Sequence, residues 1–422
     1  MGYVAVSGGK QAIDASLELL DLERLASGRA FEPQLILDAL PELVEQVESE
    51  GSLWAPEVAA IAAKQARGSV EEAVFLVRAY RSTLERLYTS RVIDTADMVV
   101  DRRISAAFKD VPGGQILGAT RDYAHRLIDF DLTQETDESV RKRTRELRAA
   151  VEEAADEVAT RDADAGATAP DLARLPRVLD YLRSIDMVQS YPLDETEPVD
   201  VTKTPLFFPA PRSVILQALS RGLTQAVIAI GYAAIRGFGI SHPTVGELRR
   251  GRVAVEIDAP GAISAAGEAT DPDDAYYLGS IPVTEVESLI VCDEKEDDGS
   301  HRSALDVGYG LVMGSNESKA IAMSVLDHSL RQDDVRYPTQ DQEFVLYHID
   351  GVEATGFISH LKLPHYVTFQ SKLDSALRSM HESDSSGDVP QMSQMSHDDG
   401  NDSSGARPQM SHASQKGGEA DA

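Results

Sequence analysis

Cysteine is nearly absent from this chain: Cys292 is the single one in 422 residues. An intramolecular disulfide is thereby excluded, which suits a reducing cytosol. One thiol is also too few to hold an iron–sulfur cluster, so none is expected in this chain. Long apolar runs are missing too. Ala226 to Ile235 is too short for a membrane span and reads as a buried helix segment. The opening MGYVAVSGGK has no basic stretch followed by a hydrophobic core, so no secretory signal is expected. No GxxxxGK[ST] occurs, so any nucleotide site is not a P-loop. Positive charge is scarce: 40 Lys plus Arg face 70 Asp plus Glu, a formal net charge of -30. Such a surface repels nucleic acid and anionic membranes, and neither is expected as a partner. The acids are spread along the chain as well as concentrated in its tail. That fits solubility in a high-salt cytoplasm, and a halophilic source is the expectation.

What is present points to an α+β protein with a largely helical N-terminal half and a mixed sheet-plus-helix C-terminal half. Composition divides the chain into 1–133, an acidic variable helix and linker over 134–200, an α/β region over 201–380, and a disordered Ser- and Asp-rich tail over 381–422. Tyr3 to Val6 reads as a strand, Ser7-Gly8-Gly9 as a turn, and Lys10 to about Ala26 as a helix. Helices are expected over Gln34 to Ser49 and Pro56 to Arg67. Ser69 and Glu72 form a capping box ahead of a stripe of Ala73, Val77, Tyr80, Leu84 and Leu87, with Arg78, Arg81 and Arg86 on the solvated or partner-facing side. Met98 to Phe108 reads as a strand, RDYAHRLIDF as a short helix, Thr136 to Asp164 as an exposed helix and Asp171 to Asp186 as another. Arg212 to Arg236 reads as one long apolar helix. Strands follow in GRVAVEI, VTEVESLIVC and GYGLVMG, the last leading through a glycine turn and a Ser315 or Asn316 cap into a helix.

Several polar groups have the makings of a site. Lys10 beside the glycine turn suits a phosphate cradle or an ordinary strand-to-helix turn. Arg102, Arg103, Lys109, Arg121, His125 and Arg126 flank the loop PGGQILG. They suit a polyphosphate, or salt bridges to Asp101, Asp110, Asp122 and Asp129. His242, Glu247, Arg249 and Arg252 form a polar loop cluster. Asp341, Glu343, His348 and Glu353 precede the stretch GFISHLKLPHYVTF. That stretch carries His360 and His365, with Pro364 between. On an unbroken helix five residues rotate about 140° beyond a full turn, so the rings diverge. A bend at Pro364 can turn them to one point, as half of a zinc site; the alternative is one buried and one surface histidine.

The run DQEFVLYHIDGVEATGFISHLKLPHYVTFQ closely resembles the C-terminal region of the PhnI family, a subunit of the bacterial carbon–phosphorus lyase core complex. YVAVSGG, AAKQARG, FLVRAYRSTL, RRISAAFKDVPGGQILG, DYAHRLIDF, RGFGISHPTVGELRRG and GYGLVMG resemble it too, in the family's order. The acidic linker and the tail depart from it. The resemblance implies a cytoplasmic subunit that assembles with PhnG-, PhnH- and PhnJ-like proteins, assisted by a PhnL-like one. It implies displacement of adenine from ATP by an alkylphosphonate such as methylphosphonate, giving ribose 1-methylphosphonate 5-triphosphate, and purine nucleosidase activity. Magnesium is expected with the nucleotide. His360 and His365 match the family's zinc-ligand pair; water, substrate or a partner must complete their shell.

Breaking an N-glycosidic bond builds oxocarbenium character, which calls for a carboxylate and for an acid to assist purine departure. Residue type nominates Asp341, Glu343 and Glu353 for the first, His125 and His242 for the second. Lys10, Arg102, Arg103, Lys109 and Arg249 are candidates for the phosphates. A scaffold subunit presenting zinc at a shared interface is the alternative reading, and a stand-alone metallohydrolase a third. Convergence of the clusters around Arg102, His242 and Glu343 on one pocket favours catalysis, and their separation favours a scaffold.

Overall fold

The computed structural model describes residues 9–164, 175–188, 196–237, 242–258, 275–295, 301–332 and 334–383. The strand expected at Tyr3 to Val6 and the tail beyond Ser383 lie outside the described residues. The chain divides into two compact units, Met1–His360 and Leu361–Ala422.

The first unit opens with α1 (Gly9–Arg24), α2 (Pro33–Ala39), α3 (Pro41–Gly51), α4 (Pro56–Gln65) and α5 (Val70–Ser82). Prolines open α2, α3 and α4, where a missing N–H costs no intrahelical bond. The single helix expected over Gln34 to Ser49 is therefore two. Pro41 disfavours helical geometry at Leu40, whose φ is -129°. Ser69 caps α5 by accepting from the Glu72 N–H at 3.3 Å, and Ala73 and Val77 enter a core with Val44, Val47, Ala59 and Ala63. Tyr80, still within α5, is exposed, and because α5 ends at Ser82, Leu84 and Leu87 do not continue the stripe and are exposed too. Arg78 is not on a solvated side. It donates to both Asp350 oxygens at 2.8 Å, to the Glu50 carbonyl at 3.0 Å and to the Arg221 carbonyl at 3.2 Å.

Strand β1 (Val99–Ile104) precedes an irregular stretch with 3-10 turns at Arg121–Tyr123 and Phe130–Gln134. The helix expected from RDYAHRLIDF does not form. Residues 121–130 are all exposed, so no apolar stripe is buried. The Thr120 and Asp129 side chains instead accept the nearby N–H groups of Asp122 and Asp131. Helices α6 (Asp137–Asp164), α7 (Val178–Ser184), α8 (Arg212–Arg221) and α9 (Thr224–Arg236) follow. α8 and α9 take the place of one long helix, because the chain turns at Gly222-Leu223. There the Leu223 N–H donates to the Ile349 carbonyl at 2.6 Å, and the Glu50 carboxylate caps α9 by accepting from the Thr224 N–H at 2.9 Å.

Strands β2 (Thr244–Asp258), β3 (Ala275–Lys295) and β4 (His301–Met313) complete the sheet. Then come α10 (Glu317–Ser329), α11 (Gln342–His348) and α12 (Gly351–Ser359). The sheet runs β1-β2-β3-β4, antiparallel throughout, and the chain is α+β as its sequence indicates. Alternation along the strands gives two unlike faces. Leu248, Val286 and Val312 pack on one, against Ile215, Leu219, Met323 and Leu326 of α8 and α10. Glycine is required on this face of β4, since a Cβ at Gly308 or Gly310 would lie 2.1 Å from the Ser324 carbonyl oxygen or 2.0 Å from that of Ala320. At the outer margin of β4 the Tyr309 N–H donates to the Asp327 carboxylate at 2.9 Å, and Arg331 donates to the Val307 carbonyl at 2.9 Å. At the margin of β1, Arg103 and Ile116 exchange main-chain bonds of 2.7 and 2.8 Å.

The second unit contains α13 (Tyr366–Ser383). As the position of Pro364 predicts, the helical path is interrupted: α12 stops at Ser359, a 3-10 turn spans His360–Lys362, and α13 starts at Tyr366.

Candidate functional site

The other face of the sheet is charged and buried. Its rows follow from register: Arg103 of β1 faces Arg249 of β2, Arg249 faces Glu285 of β3, Glu247 faces Glu287, and Glu287 faces Tyr309 of β4. Glu247, Arg249 and Arg252 therefore belong to a strand, not to the polar loop that His242-Pro243 suggested. Buried charges require partners. Arg103, 1 % exposed, donates to Glu247 at 2.5 Å, to the Pro112 carbonyl at 2.7 Å and to the Pro176 carbonyl at 2.6 Å. Glu247 also accepts from the Val178 N–H at 3.0 Å, at the start of α7. Arg249 donates to Glu285, which accepts further from Thr95 Oγ1 at 2.7 Å and Tyr309 Oη at 2.8 Å. Arg177 bridges Glu285, at 3.2 Å, and Glu287.

Three guanidinium groups thus meet three carboxylates, but unevenly. Burial alone would raise Glu285, yet Arg249 and Arg177 overcome it and hold the carboxyl below the usual range. Glu287 goes the other way. Burial pushes it up, the charges of Glu285 and Glu247 add to that, and Arg177 does not compensate, leaving it at about 7. Its Oε2 is buried and has no hydrogen-bond partner among the described residues.

Glu287 and Tyr309 also line a cavity of about 890 Å³ alongside β4, together with Arg212, Asp306, His328 and Arg331. That volume lies within the roughly 300–1,000 Å³ of small-molecule sites. Asp306 accepts from His328 Nδ1 and from both terminal nitrogens of Arg331 at 3.2 Å. Burial alone would raise Asp306, but His328 and Arg331 bring it down to about 2. An ionised Asp306 fixes the His328 proton on Nδ1 and leaves the lone pair on Nε2, which Gln332 Nε2 approaches at 3.3 Å. Arg212 grips Asp327 with bonds of 3.0 and 2.6 Å. Glu287 and Tyr309 border the cavity from the charged face of the sheet, and Asp306 and His328 from the opposite, α10 face, with β4 between them.

The residues nominated from sequence lie elsewhere. Arg102 is 3 % exposed and donates to Glu317 at 2.6 Å and to Tyr123 Oη at 3.0 Å; Arg103 and Arg249 are engaged as described. Their near carboxylate partners are Glu317, Glu247 and Glu285; of the neighbouring aspartates, Asp122 lies 4.0 Å from Arg102 and accepts from Arg126 at 3.1 Å. Lys10, Lys109, His125 and His242 are exposed. Asp341 caps α11 by accepting from the Phe344 N–H at 3.1 Å, while Glu343 and Glu353 sit exposed in the first turns of α11 and α12. None of these lines the β4 cavity, nor a second one of about 480 Å³ bounded by Arg121, Arg126, Arg250 and Glu317. The clusters around Arg102, His242 and Glu343 do not converge on either. Sequence reasoning passed over Glu285, Glu287, Asp306 and His328. The signal for the first two was VTEVESLIV, where acids two apart in an apolar strand must share a face and find partners there.

His360 Nδ1 meets the Phe357 carbonyl, and His365 Nδ1 meets the Leu363 carbonyl at 2.6 Å. A carbonyl only accepts, so each ring carries its proton on Nδ1 and its lone pair on Nε2, the tautomer of a metal-ligating histidine. Among the described residues no group of three or more His, Cys, Asp and Glu is placed to hold a metal ion. No helix among them is long and apolar enough to cross a membrane.

A family model described as "Bacterial phosphonate metabolism protein (PhnI)" matches residues 2–384. The chain is 40% identical, over 90% of its length and 96% of the relative's, to the alpha-D-ribose 1-methylphosphonate 5-triphosphate synthase subunit PhnI of Rhizobium meliloti. It is 37% identical to the protein of the same name from Escherichia coli, over 90% of this chain and 99% of that one. With a family match over residues 2–384 and near full-length relatives, the chain belongs to the PhnI family of bacterial phosphonate metabolism proteins.

Proposed function

We propose that this chain is a subunit of an alpha-D-ribose 1-methylphosphonate 5-triphosphate synthase within a carbon–phosphorus lyase assembly. It displaces adenine from ATP with methylphosphonate and acts with PhnG-, PhnH- and PhnJ-like subunits and a PhnL-like accessory protein in the cytoplasm. The observation that carries this reading is the near full-length match to two relatives bearing that enzyme name. Purine nucleosidase activity is the same bond cleavage with water as the acceptor. The test uses the purified chain in high KCl with ATP and Mg²⁺, adding methylphosphonate and partner subunits stepwise, and follows free adenine by chromatography. Adenine released only when phosphonate is present supports the synthase reading. A folded, complete assembly that releases none refutes it.

His360 and His365 are proposed as zinc ligands, on the support of the motif and the matching ring tautomers. Zinc there supplies Lewis acidity, with partner, substrate or water completing its shell. A His360→Ala, His365→Ala double variant that keeps full zinc by elemental analysis rules this out. The formal charge of -30 supports a halophilic source. Circular dichroism indifferent to falling KCl speaks against that.

A further inference from the structure

We infer that Arg78, Arg81, Arg86 and Arg221, gathered where α5, α8 and α12 meet, form a binding site for phosphoryl oxygens, occupied in the synthase by the triphosphate of ATP. The site stands on the geometry of this chain, and the identity of its occupant rests on the synthase reading.

In a chain with 70 acidic and 40 basic residues a buried guanidinium has carboxylates in plenty, and Arg102, Arg103 and Arg249 each find one. The cluster at α5 does not close in that way. Arg78 holds Asp350 with two bonds of 2.8 Å, and Arg86 holds Asp200 at 2.5 Å. Arg221 donates Nη1 to the Val201 carbonyl at 3.1 Å, but its Nε is buried without a partner among the described residues. Arg81, in the last turn of α5, has a buried Nη1 in the same condition and pairs with no carboxylate among the described residues. Contact thus joins four guanidiniums to two carboxylates. Glu353 lends its charge to Arg221 from a distance, without a bond between them. The excess acts back on the arginines. Burial first, then the charges of Arg78 and Arg86, bring Arg81 below its ordinary value; burial and Arg78 do the same to Arg221, with Arg81 adding less. Cations that disfavour one another's charged form call for an anion from outside the chain.

The chemistry of that anion follows from what is left to satisfy. Arg81 and Arg221 reach the cluster from two helices, so their free N–H groups need acceptors spread over several oxygens. A side-chain carboxylate brings one charge and two oxygens. A triphosphate brings several of each, in the planar-fork geometry that guanidinium groups match. The surrounding backbone does not oppose it. Arg78 covers the Glu50 and Arg221 carbonyls near the ends of α3 and α8, and α12 turns its positive N-terminal end to the cluster through Asp350. At 1.5 Å per residue, His360 lies about 13 Å away at the other end of α12, so one helix carries the anion site and a proposed zinc ligand.

The experiment measures tripolyphosphate binding to the full chain by calorimetry, in the KCl that keeps it folded. Wild type is compared with Arg81→Gln and with Arg24→Gln, which removes the same charge from an exposed pair with Asp21 on α1. Arg81→Gln is expected to weaken tripolyphosphate about tenfold or more, and Arg24→Gln less than about twofold. ATP is expected to weaken by the same factor as tripolyphosphate, and ATP binding unchanged in Arg81→Gln overturns the triphosphate as occupant. Thermal unfolding separates binding from a structural role. Without ligand, Arg81→Gln is expected to melt no lower than wild type, because it removes repulsion. The rise in midpoint that tripolyphosphate gives wild type is expected to shrink in the variant. A variant that melts lower without ligand, or fails to fold, overturns the assignment, as does a wild-type chain that binds no tripolyphosphate. A variant that binds tripolyphosphate normally but drops out of the assembly overturns it too, and gives Arg81 to an acid of a partner subunit. Adenine release by the wild-type assembly is followed separately. If it is absent while tripolyphosphate binds through Arg81, the synthase reading fails and the phosphoryl-oxygen site stands; if it is present while Arg81→Gln binds normally, the site fails and the reading stands.

Discussion

Replacing Glu247 by alanine tests whether the charged sheet face acts as a fastener or as filler. Glu247 is 2 % exposed, and each of its oxygens has a separate task. One accepts from Arg103 Nε at 2.5 Å, the other from the Val178 N–H at 3.0 Å. Its removal leaves Arg103 charged and buried, with only carbonyl acceptors from Pro112, Gly114 and Pro176. Breaking a buried pair from one side costs about 3–5 kcal/mol, and orphaning a buried N–H adds about 1 kcal/mol. Against a total stability of about 5–15 kcal/mol, such a loss is a large fraction. Urea unfolding of wild type, Glu247→Leu, Arg103→Met and the double variant Glu247→Leu, Arg103→Met closes a double-mutant cycle, with Glu247→Ala measured beside it. The double variant is expected to recover at least half of the single-variant loss, since two apolar side chains leave no stranded charge. Hydrogen exchange adds a local readout. Residues 175–188 are expected to lose protection first in Glu247→Ala, because the Val178 N–H anchors α7 to β2. A coupling energy below about 0.5 kcal/mol, with unchanged exchange over that segment, refutes the reasoning.

Other outcomes follow from the same geometry. Glu287, raised to about 7 in the folded chain from an ordinary value near 4.5, binds more proton folded than unfolded, so stability falls as pH rises through that window. Glu287→Gln is therefore expected to be more stable than wild type by about 3 kcal/mol at pH 8 and indistinguishable at pH 4, measured by urea unfolding at both; an advantage independent of pH contradicts this. Asp306, held at about 2 from an ordinary value near 3.8, contributes stability above the unfolded value that disappears as pH falls toward 2. Asp306→Asn is expected to cost about 2 kcal/mol at pH 6, with the gap from wild type closing in acid titrations. Gly310→Ala sets a methyl 2.0 Å from the Ala320 carbonyl oxygen, so α10 must move off β4. Its expected loss is about 3 kcal/mol in thermal unfolding, and an unchanged midpoint contradicts the close approach.

Local chemistry was legible where it is decided locally. Ser69, Asn316 and Pro56 announced the starts of their helices, whereas Pro41 divides a stretch that reads as one helix, and Pro364 announced the interruption after the first histidine of the pair. Length was less legible. Arg212 to Arg236 has an unbroken apolar pattern, and what divides it is a bond from Leu223 to Ile349 and a cap from Glu50, both far away in sequence. The arginines show the limit most clearly. Arg102, Arg103 and Arg249 in a chain so acidic invite a ligand by their charge, but the fold supplies carboxylates more than a hundred residues away, from the start of α10 for Arg102 and from β2 for Arg103, and from the adjoining strand for Arg249. For the same reason His328 went unnoticed, since its neighbour in sequence, Asp327, pairs with Arg212 and its working partner, Asp306, lies across on β4.

The two margins of the sheet carry a consequence for assembly. A bare strand edge is a template for another chain, but here Asp327 and Arg331 occupy main-chain groups of β4 at Tyr309 and Val307, and Ile116 occupies those of Arg103 on β1. At these positions a visiting strand finds no donor or acceptor to pair with. Subunits that join this chain there must recognise it through side-chain shape and charge rather than by extending its sheet, which ties partner choice to surface sequence instead of to backbone pattern.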